Sequence, residues 1–251
     1  MTHPFDLTGR KALVTGGNTG LGQGIAVALA EAGADVAVAG RSSAADTGRM
    51  VEAAGRRFAE IKADFSDPSC VERVVEETVS ALGGIDILVN NAGIIRRNDA
   101  LDFTESDWDD VMTVNIKSVF FLSQAAAKRM VAAGRGRIIN IASMLSFQGG
   151  IRVASYTSSK SGVAGLTKLL ANEWASKGIN VNAIAPGYFA TNNTEALRAD
   201  ESRNAEILGR IPAGRWGDPK DLGGAAVFLA SDASAYVHGT TLAVDGGWLA
   251  R

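Results

Sequence analysis

The chain contains 251 residues, of which 46% are hydrophobic and 21% charged, and its formal net charge is −2 at pH 7. This length and composition predict a single globular α/β domain over residues 1–251 and exclude a disordered chain. With near-neutral charge and no basic cluster, nucleic acid is not expected as a partner. No apolar run approaches the roughly 20 residues of a membrane span, so no membrane partner is expected.

The first residues and the cysteine content bear on the compartment. The amino-terminal stretch has neither a basic segment nor an apolar one, so no secretory signal is expected. Cys70 is the only cysteine, which excludes an internal disulfide. A reducing cytoplasm is therefore the expected location. The two histidines, His3 and His238, are far apart in sequence and lie in no cluster of ligating residues, so no metal site is expected.

A glycine-rich turn follows the first predicted strand. Lys11–Thr15 is a short apolar run, and a helical pattern continues from the turn to Ala32. In such a turn the glycines let the backbone approach a pyrophosphate, and the helix amino terminus supplies N–H donors and a positive dipole. The spacing Gly-x-x-x-Gly-x-Gly differs from the commoner Gly-x-Gly-x-x-Gly, and a tight turn without a ligand is the alternative. The residues expected to bind a dinucleotide here are Gly16, Asn18, Thr19, Gly20, Leu21 and Gly22.

The end of the second strand bears on the choice of nicotinamide cofactor. Asp35–Gly40 is predicted to be that strand, and Arg41 and Ser42 follow it. An acidic residue at this place favours NAD, whereas an arginine accommodates the 2′-phosphate of NADP. The chain is therefore expected to use NAD or NADP, and Arg41 favours NADP. A solvated loop arginine is the alternative.

The next two strand ends supply further candidate contacts to the cofactor. A helix over about 44–56 leads to a strand over 58–63, and the acid that follows is expected to accept from the adenine amino group. A proline-initiated helix over Pro68–Leu82 precedes the fourth strand, Ile85–Val89. The small and amide residues after that strand suit packing beside the cofactor, although stabilisation of the sheet explains them as well. The candidates are Asp64, Phe65, Asn91, Ala92 and Gly93.

Two adjacent arginines, Arg96 and Arg97, lie on the carboxyl side of the fourth strand. Paired guanidinium groups at this place suit a substrate carboxylate, which arginine binds in a bidentate manner. A solvated loop explains them equally well. The following helix is predicted over about 105–132, and Asn115 within it is expected to bend the helix and hold a water.

A Tyr-x-x-x-Lys pair follows the fifth strand, 137–142, which delivers Ser143 to the edge where open parallel sheets bind ligands. Tyr156 and Lys160 are one turn apart in a helix predicted over 154–177, so they share a face. Ionising a phenol of pKa about 10 at pH 7 costs roughly 4 kcal/mol, which a cation about 4 Å away at an effective dielectric near 20 offsets. Lys160 is thus predicted to bring Tyr156 into range for acid–base catalysis. A surface pair on an amphipathic helix is the alternative.

The last third of the chain completes an alternating pattern. A strand over 179–185 ends in Pro186-Gly187, and the polar segment 188–210 is predicted to be a mobile lid over the ligand cleft. A helix over 221–230 and a strand over 241–244 follow. Because strands alternate with helices throughout, the fold expected is one doubly wound parallel sheet with helices on both faces.

Together these motifs resemble the short-chain dehydrogenase/reductase family over nearly the whole chain. The motifs are Thr15-Gly16-x3-Gly20-x-Gly22, Asn90-Asn91-Ala92-Gly93, Ser143, Tyr156-x3-Lys160 and Pro186-Gly187. The resemblance implies a Rossmann-type fold with strand order 3-2-1-4-5-6-7 and a homotetramer built through the long helices bearing Asn115 and Tyr156.

The same resemblance implies a role for each matching residue. Tyr156 would be the acid/base, Ser143 would orient the substrate oxygen, and Asn115 would hold a water in a proton relay. Lys160 would bind the nicotinamide ribose and lower the pKa of Tyr156. Further cofactor contacts implied in this way are Pro186, Gly187 and Thr191.

A closer resemblance, to sugar-acid dehydrogenases within this family, rests on six further segments. They are 94–97, 107–112, 143–153, 190–194, 210–216 and 244–251. The resemblance implies oxidoreduction at C5 of a 2-dehydro-3-deoxy sugar acid derived from pectin-type polysaccharides. Arg152 and one of the adjacent arginines are expected to bind the substrate carboxylate. The implied substrate contacts are Arg96, Arg97, Met144, Gln148, Arg152 and Tyr188.

Other functions are compatible with the same motifs. Reduction of a 3-oxoacyl thioester or oxidation of gluconate would use the same catalytic set without requiring the arginines. A non-catalytic dinucleotide-binding sensor would not require the intact Ser143, Tyr156 and Lys160 that this chain has. The sugar-acid subgroup is generally NAD-linked, and Arg41 departs from that pattern.

Overall fold

A computed structural model describes residues 3–251. Its centre is a seven-stranded, entirely parallel sheet in the order β3-β2-β1-β4-β5-β6-β7, which confirms the predicted topology. The strands are β1 (Lys11–Thr15), β2 (Asp35–Gly40), β3 (Phe58–Lys62), β4 (Ile87–Asn90), β5 (Gly136–Ile141), β6 (Ile179–Pro186) and β7 (Thr241–Val244).

Within residues 3–251, nine α-helices connect and cover these strands. They are α1 (Gly20–Glu31), α2 (Ala45–Ala53), α3 (Val71–Leu82), α4 (Glu105–Met112), α5 (Ser118–Ala133), α6 (Ala154–Trp174), α7 (Glu195–Ala199), α8 (Glu201–Arg210) and α9 (Gly223–Ala230). Short 3₁₀ turns lie at Pro68–Cys70, Ala100–Asp102, Met144–Ser146, Ala175–Lys177, Asn192–Thr194, Pro219–Leu222, Asp232–Ser234 and Trp248–Ala250. No helix within residues 3–251 is both long and apolar enough to cross a membrane.

The apolar runs of the central strands follow from burial on both faces of the sheet. Successive residues point to opposite sides, so Leu13 and Leu88 belong to one core, whereas Val14 and Val89 belong to the other. Helices α3, α5 and α6 cover the first face, and α1, α2 and α9 cover the second. This arrangement leaves the carboxyl ends of the strands as the open edge where loops collect.

The helix predicted over 105–132 is divided by one wider turn. Helix α4 passes into a π-helical turn over Thr113–Lys117, which leads directly into α5. Asn115 lies in this turn and is fully buried. Both of its amide atoms bind the backbone of Ile94, so the side chain joins the π turn to the loop after β4. Such turns are frequent at functional sites.

The segment predicted to be a lid, 188–210, contains more regular structure than its polar composition suggests. It folds into the 3₁₀ turn Asn192–Thr194 and the short helices α7 and α8. Ile207 of α8 is buried in a separate apolar cluster beside Met144 and Trp248. The segment therefore packs, through an apolar anchor, against the loops that follow β5 and β7.

A chain of buried amides, which the sequence motifs do not indicate, joins the middle of the sheet to α5 and α6. Asn90 Nδ2 donates to Ser123 Oγ (2.9 Å) and to Asn140 Oδ1 (2.8 Å). Asn140 Nδ2 in turn donates to Thr167 Oγ1 (2.9 Å). Fully paired polar groups in a core fix the relative placement of the elements that carry them.

Candidate active site

The glycine-rich turn is held by side chains from the loop after β4. Asn91 Nδ2 donates to the carbonyl oxygens of Thr15 (2.9 Å) and Gly16 (3.0 Å). The Thr15 hydroxyl accepts from the backbone N–H groups of Asn91 and Ala92. Two of the predicted cofactor-binding segments are thus joined directly. Thr15 itself was not predicted as a site residue, although its position immediately before Gly16 is a signal for it.

The geometry of this turn fits a pyrophosphate. Gly16 and Gly20 have positive φ angles of 62° and 58°. A Cβ on Gly22 would lie 2.3 Å from the Gly16 carbonyl oxygen, so only glycine permits this approach. The first turn of α1 contains no acidic residue, and no side chain caps it, which leaves N–H donors for an anion. Thr191, from the lid segment, lies beside Gly20.

The predicted adenosine contacts collect after β2 and β3. Arg41 and Ser42 are exposed, and no hydrogen bond or ion pair engages the Arg41 guanidinium among the residues described. Asp64 Oδ1 accepts from Ser66 N (3.0 Å) and Ser66 Oγ (2.8 Å), and these bonds hold the pKa of Asp64 below its usual value. Phe65 is buried in the core, so its side chain packs inward and does not face the cofactor edge.

Ser143, Tyr156 and Lys160 lie together where β5 meets α6. Ser143 follows β5 directly, and Lys160 Nζ lies 5.7 Å from the centre of the Tyr156 ring. Lys160 is 5% exposed, and its Nζ donates to the carbonyl oxygen of Ile141 (2.6 Å). Ser146 Oγ donates to the Lys160 carbonyl oxygen and braces this turn of the helix (2.6 Å). The predicted acid–base group is therefore assembled in one place.

Burial changes the electrostatics of this group from what the spacing predicts. Desolvation raises the pKa of Tyr156, while a hydrogen bond with the Ser143 side chain and the charge of Arg97 lower it by less. Burial also lowers the pKa of Lys160 to about 8. The predicted net lowering of the Tyr156 pKa is thus not what this geometry produces. The reason is that the estimate from spacing counted the attraction of Lys160 and omitted the desolvation of both groups.

Asn115 is placed beside the acid–base group. Its Nδ2 donates to Ser159 Oγ (3.2 Å) as well as to the Ile94 carbonyl oxygen (2.9 Å). Ser159 Oγ donates in turn to the carbonyl oxygen of Tyr156 (2.9 Å). A Cβ on Gly93 would lie 3.3 Å from Asn115 Oδ1, so the loop after β4 passes close to the π turn.

The three candidate arginines have different surroundings. Arg96 forms ion pairs with Asp110 (2.9 Å) and Asp107 (3.4 Å) of α4. Arg152 forms an ion pair with Asp99 (3.3 Å) and has a positive φ of 63°, an uncommon conformation for a residue with a Cβ. Arg97 is exposed, has no ion pair within residues 3–251, and its charge acts on Tyr156. Of the three, Arg97 has the uncommitted charge.

An aromatic wall joins the loops that follow β6, α8 and β7. Tyr188 packs on Trp216 (ring centres 5.5 Å apart) and on Trp248 (4.8 Å). Trp248 Nε1 donates to Gln148 Oε1 (3.4 Å), and Met144 lies in the same apolar cluster. The predicted substrate residues Met144, Gln148 and Tyr188 are thus brought together.

Trp216 and Trp248 were not predicted as site residues. Tryptophans in two sequence-distant segments give no periodic signal that points to a shared wall. Pro186 and Gly187 end β6 at the same edge, where a Cβ on Gly187 would lie 2.6 Å from Asp245 Cα. Within residues 3–251, no group of three or more His, Cys, Asp or Glu side chains is placed to hold a metal ion.

Comparisons with known proteins give the relatives of this chain. A family profile described as enoyl-(acyl carrier protein) reductase matches residues 16–249. The chain is 64% identical over 248 residues to 2-dehydro-3-deoxy-D-gluconate 5-dehydrogenase of Dickeya dadantii, with 98% of each chain covered. The protein of the same name from Escherichia coli is also 64% identical over 248 residues, again with 98% of both chains covered.

A solved structure shares the fold over the full length. It is a crystal structure from Agrobacterium tumefaciens of a candidate 2-deoxy-D-gluconate 3-dehydrogenase with bound NADP. That chain is 61% identical to the present one, with a TM-score of 0.95 and complete coverage of both chains. The cofactor in this neighbour, NADP, is one of the two nicotinamide cofactors predicted for the present chain.

Proposed function

Because the chain belongs to the short-chain dehydrogenase/reductase family and is an NAD(P)-dependent oxidoreductase acting on an alcohol group, we propose that its substrate is a sugar acid. The reaction proposed is interconversion of 2-dehydro-3-deoxy-D-gluconate and its 2,5-diketo form, 3-deoxy-D-glycero-2,5-hexodiulosonate. Relatives named for this activity at 64% identity support the substrate. The proposed setting is the breakdown of unsaturated uronates from pectin-type polysaccharides.

The chemistry is divided between the cofactor and side chains of this chain. A nicotinamide cofactor, when bound, would supply the hydride chemistry at the sugar carbon. Tyr156 exchanges the proton of the sugar oxygen, and Ser143 orients that oxygen by a hydrogen bond. Lys160 binds the nicotinamide ribose, and Asn115 holds a water in a proton relay behind it.

The observation that carries the choice of an acidic substrate is the uncommitted charge of Arg97. Its guanidinium has no carboxylate partner within residues 3–251, yet its charge acts on Tyr156. A substrate carboxylate would supply that partner and would place the sugar carbon chain near the acid–base group. The charge of Arg96 is balanced by two aspartates of α4, and these ion pairs hold the loop after β4 against that helix.

We further propose that NADP(H) is the preferred cofactor. The support is the exposed and unpaired Arg41 directly after β2, where an arginine accommodates a 2′-phosphate. Dehydrogenases that use NAD have an acidic residue at the end of this strand. The present chain has no acidic residue between Gly40 and Ala45.

The direct test is the initial rate of reduction of the 2,5-diketo acid with NADPH and NADH run in parallel. We expect the native chain to reduce the diketo acid with both cofactors, and faster with NADPH than with NADH. We expect the Tyr156→Phe variant to show no turnover. Turnover of an acetoacetyl thioester or of gluconate in place of the diketo acid would contradict the substrate. Cofactor binding without any turnover would indicate a sensor.

Arg97→Gln tests the carboxylate anchor. Loss of a charge-assisted hydrogen bond is expected to lower kcat/KM for the diketo acid about 30- to 100-fold. Arg96→Gln is the matched comparison, and we expect it to stay within about fivefold because its charge is already satisfied by α4. Equal losses in the two variants, or a larger loss for Arg96→Gln, would refute the assignment to Arg97.

We also propose that the active form is a homotetramer in the cytoplasm. Helices α5 and α6 expose large apolar side chains, with Phe121 40%, Val131 43% and Leu169 48% exposed. Val131 and Leu169 line one shallow groove with Trp174, and contiguous exposed apolar surface marks a binding interface. Sedimentation analysis should give a mass of four chains, and Leu169→Glu should lower it. The buried free thiol of Cys70 suits a reducing compartment.

A further inference from the structure

Two charged residues of the edge strand β3 lie under the loop that carries Arg41. The register of β2 and β3 places Lys62 opposite Gly40, the residue before Arg41. Glu60 and Lys62 alternate with buried Ile61, so both project from the same face of the sheet. Their side chains form an ion pair of 3.5 Å, with Glu60 30% and Lys62 64% exposed.

Glu60 holds the loop between β2 and α2 in place. Its Oε2 accepts from the backbone N–H of Ala44 (3.1 Å) and from Ser43 Oγ (3.4 Å). The hydroxyl of Ser43 is therefore committed to the protein, and Ser42 is the hydroxyl of this loop that stays available to a ligand. The same carboxylate places a negative charge next to the loop.

Lys62 reaches the other end of this loop. Its Nζ donates to the carbonyl oxygen of Arg41 (3.1 Å), which places a second cation against the backbone of the residue that carries the unpaired guanidinium. The nearby acid Asp64 is engaged by Ser66. The charges at this loop are thus two cations, Arg41 and Lys62, and two carboxylates, Glu60 and Asp64. Glu60 is held by hydrogen bonds to the loop after β2, and Asp64 by hydrogen bonds to its own loop.

We propose that Glu60 and Lys62 set the preference of the enzyme between NADPH and NADH. Lys62 is the second cation for the 2′-phosphate, after Arg41. Glu60 positions the loop through Ala44 and, by its negative charge, limits the affinity for that phosphate. This proposal rests on the NADP(H) preference proposed above and assigns a role to two residues outside the sequence motif.

The test is a binding titration of the native and variant proteins with NADPH and with NADH, in the absence of any sugar substrate. The change in nicotinamide fluorescence reports binding. Because these charges are partly screened, Lys62→Gln should weaken NADPH binding about three- to tenfold. Glu60→Gln keeps an oxygen acceptor for Ala44 and removes the charge, so NADPH should bind about threefold more tightly. The NADH affinity should change less than about twofold in both.

The double variant Glu60→Gln/Lys62→Gln changes no net charge and should return NADPH affinity to near the native value. Lys11→Gln, which removes a paired cation at the amino end of the interior strand β1, is the control. A change of equal size for NADH and NADPH would show a structural role only and overturn the proposal. Weaker NADPH binding by the Glu60→Gln variant would also overturn the proposal.

These outcomes separate the two proposals. If Arg41→Gln leaves NADPH affinity unchanged, the proposed NADP(H) preference fails, and the role of the β3 pair fails with it. If Arg41→Gln weakens NADPH selectively while Lys62→Gln and Glu60→Gln do not shift it, only the role of the β3 pair is refuted. The substrate assignment is not touched by either result, because no sugar is present.

Discussion

The buried ammonium group of Lys160 leads to a quantitative prediction about stability. Burial lowers its pKa from 10.5 to about 8. That shift corresponds to about 3 kcal/mol by which the charged form is disfavoured in the folded protein at pH 7. Lys160→Met removes the charge and keeps most of the side-chain volume. We therefore expect a more stable protein, even though turnover is lost.

One hydrogen bond offsets part of this gain. Lys160 Nζ donates to the Ile141 carbonyl oxygen, and removing that donor costs about 1 kcal/mol. Lys160→Met should therefore raise the free energy of unfolding by about 2 kcal/mol at pH 7. Between pH 8 and 10.5 the unfolded chain retains the lysine proton and the folded chain releases it. Native stability thus rises with pH in this window, and the advantage of the variant shrinks.

The assay is urea unfolding followed by circular dichroism, at about pH 7 and about pH 9.5, on both proteins. Lys168→Met on the same helix is the control, because Lys168 is exposed and its replacement should change the free energy of unfolding by less than about 0.5 kcal/mol. A destabilised Lys160→Met protein at pH 7 would refute the reasoning. An advantage that does not depend on pH would refute it too.

Two further substitutions test the turn and the core. Gly22→Ala brings a Cβ to 2.3 Å from the Gly16 oxygen, so cofactor affinity in a fluorescence titration should fall at least about tenfold. Gly165→Ala, where a Cβ meets nothing within 4 Å, should leave that affinity unchanged, and equal losses would contradict the argument. Asn140→Ala removes buried bonds to Asn90 and a helix hydroxyl, and should cost about 2–3 kcal/mol in urea unfolding. A loss below about 0.5 kcal/mol would show that the amide chain does not stabilise the core.

Local features of the sequence were enough to predict the main parts of the site. The same features carry the family resemblance, and that resemblance predicted the order of the strands in the sheet. The glycine turn over 16–22 is such a feature, because its function depends on backbone conformation and on the helix that starts within it. The positions of Ser143, Tyr156 and Lys160 are another, because they lie at the end of one strand and within one helical turn. The bounds of most elements differ from the predicted ones by a few residues, since ends depend on capping contacts.

Other properties were decided only by contacts between distant segments. Arg96, Arg97 and Arg152 look alike in sequence, and aspartates elsewhere in the chain determine which of them keeps a free charge. The aromatic wall joins Tyr188 to Trp248, which are brought together by the fold.

The pKa of Tyr156 shows most clearly why such properties depend on the tertiary structure. Spacing along a helix specifies which charges are close, and that much is readable from the sequence. Desolvation depends on everything packed around the phenol, and here it outweighs the hydrogen bond with Ser143 and the charge of Arg97. The sequence by itself therefore determined which groups meet at this edge of the sheet. Only the tertiary structure decided how deeply they are buried and which charges remain free to act.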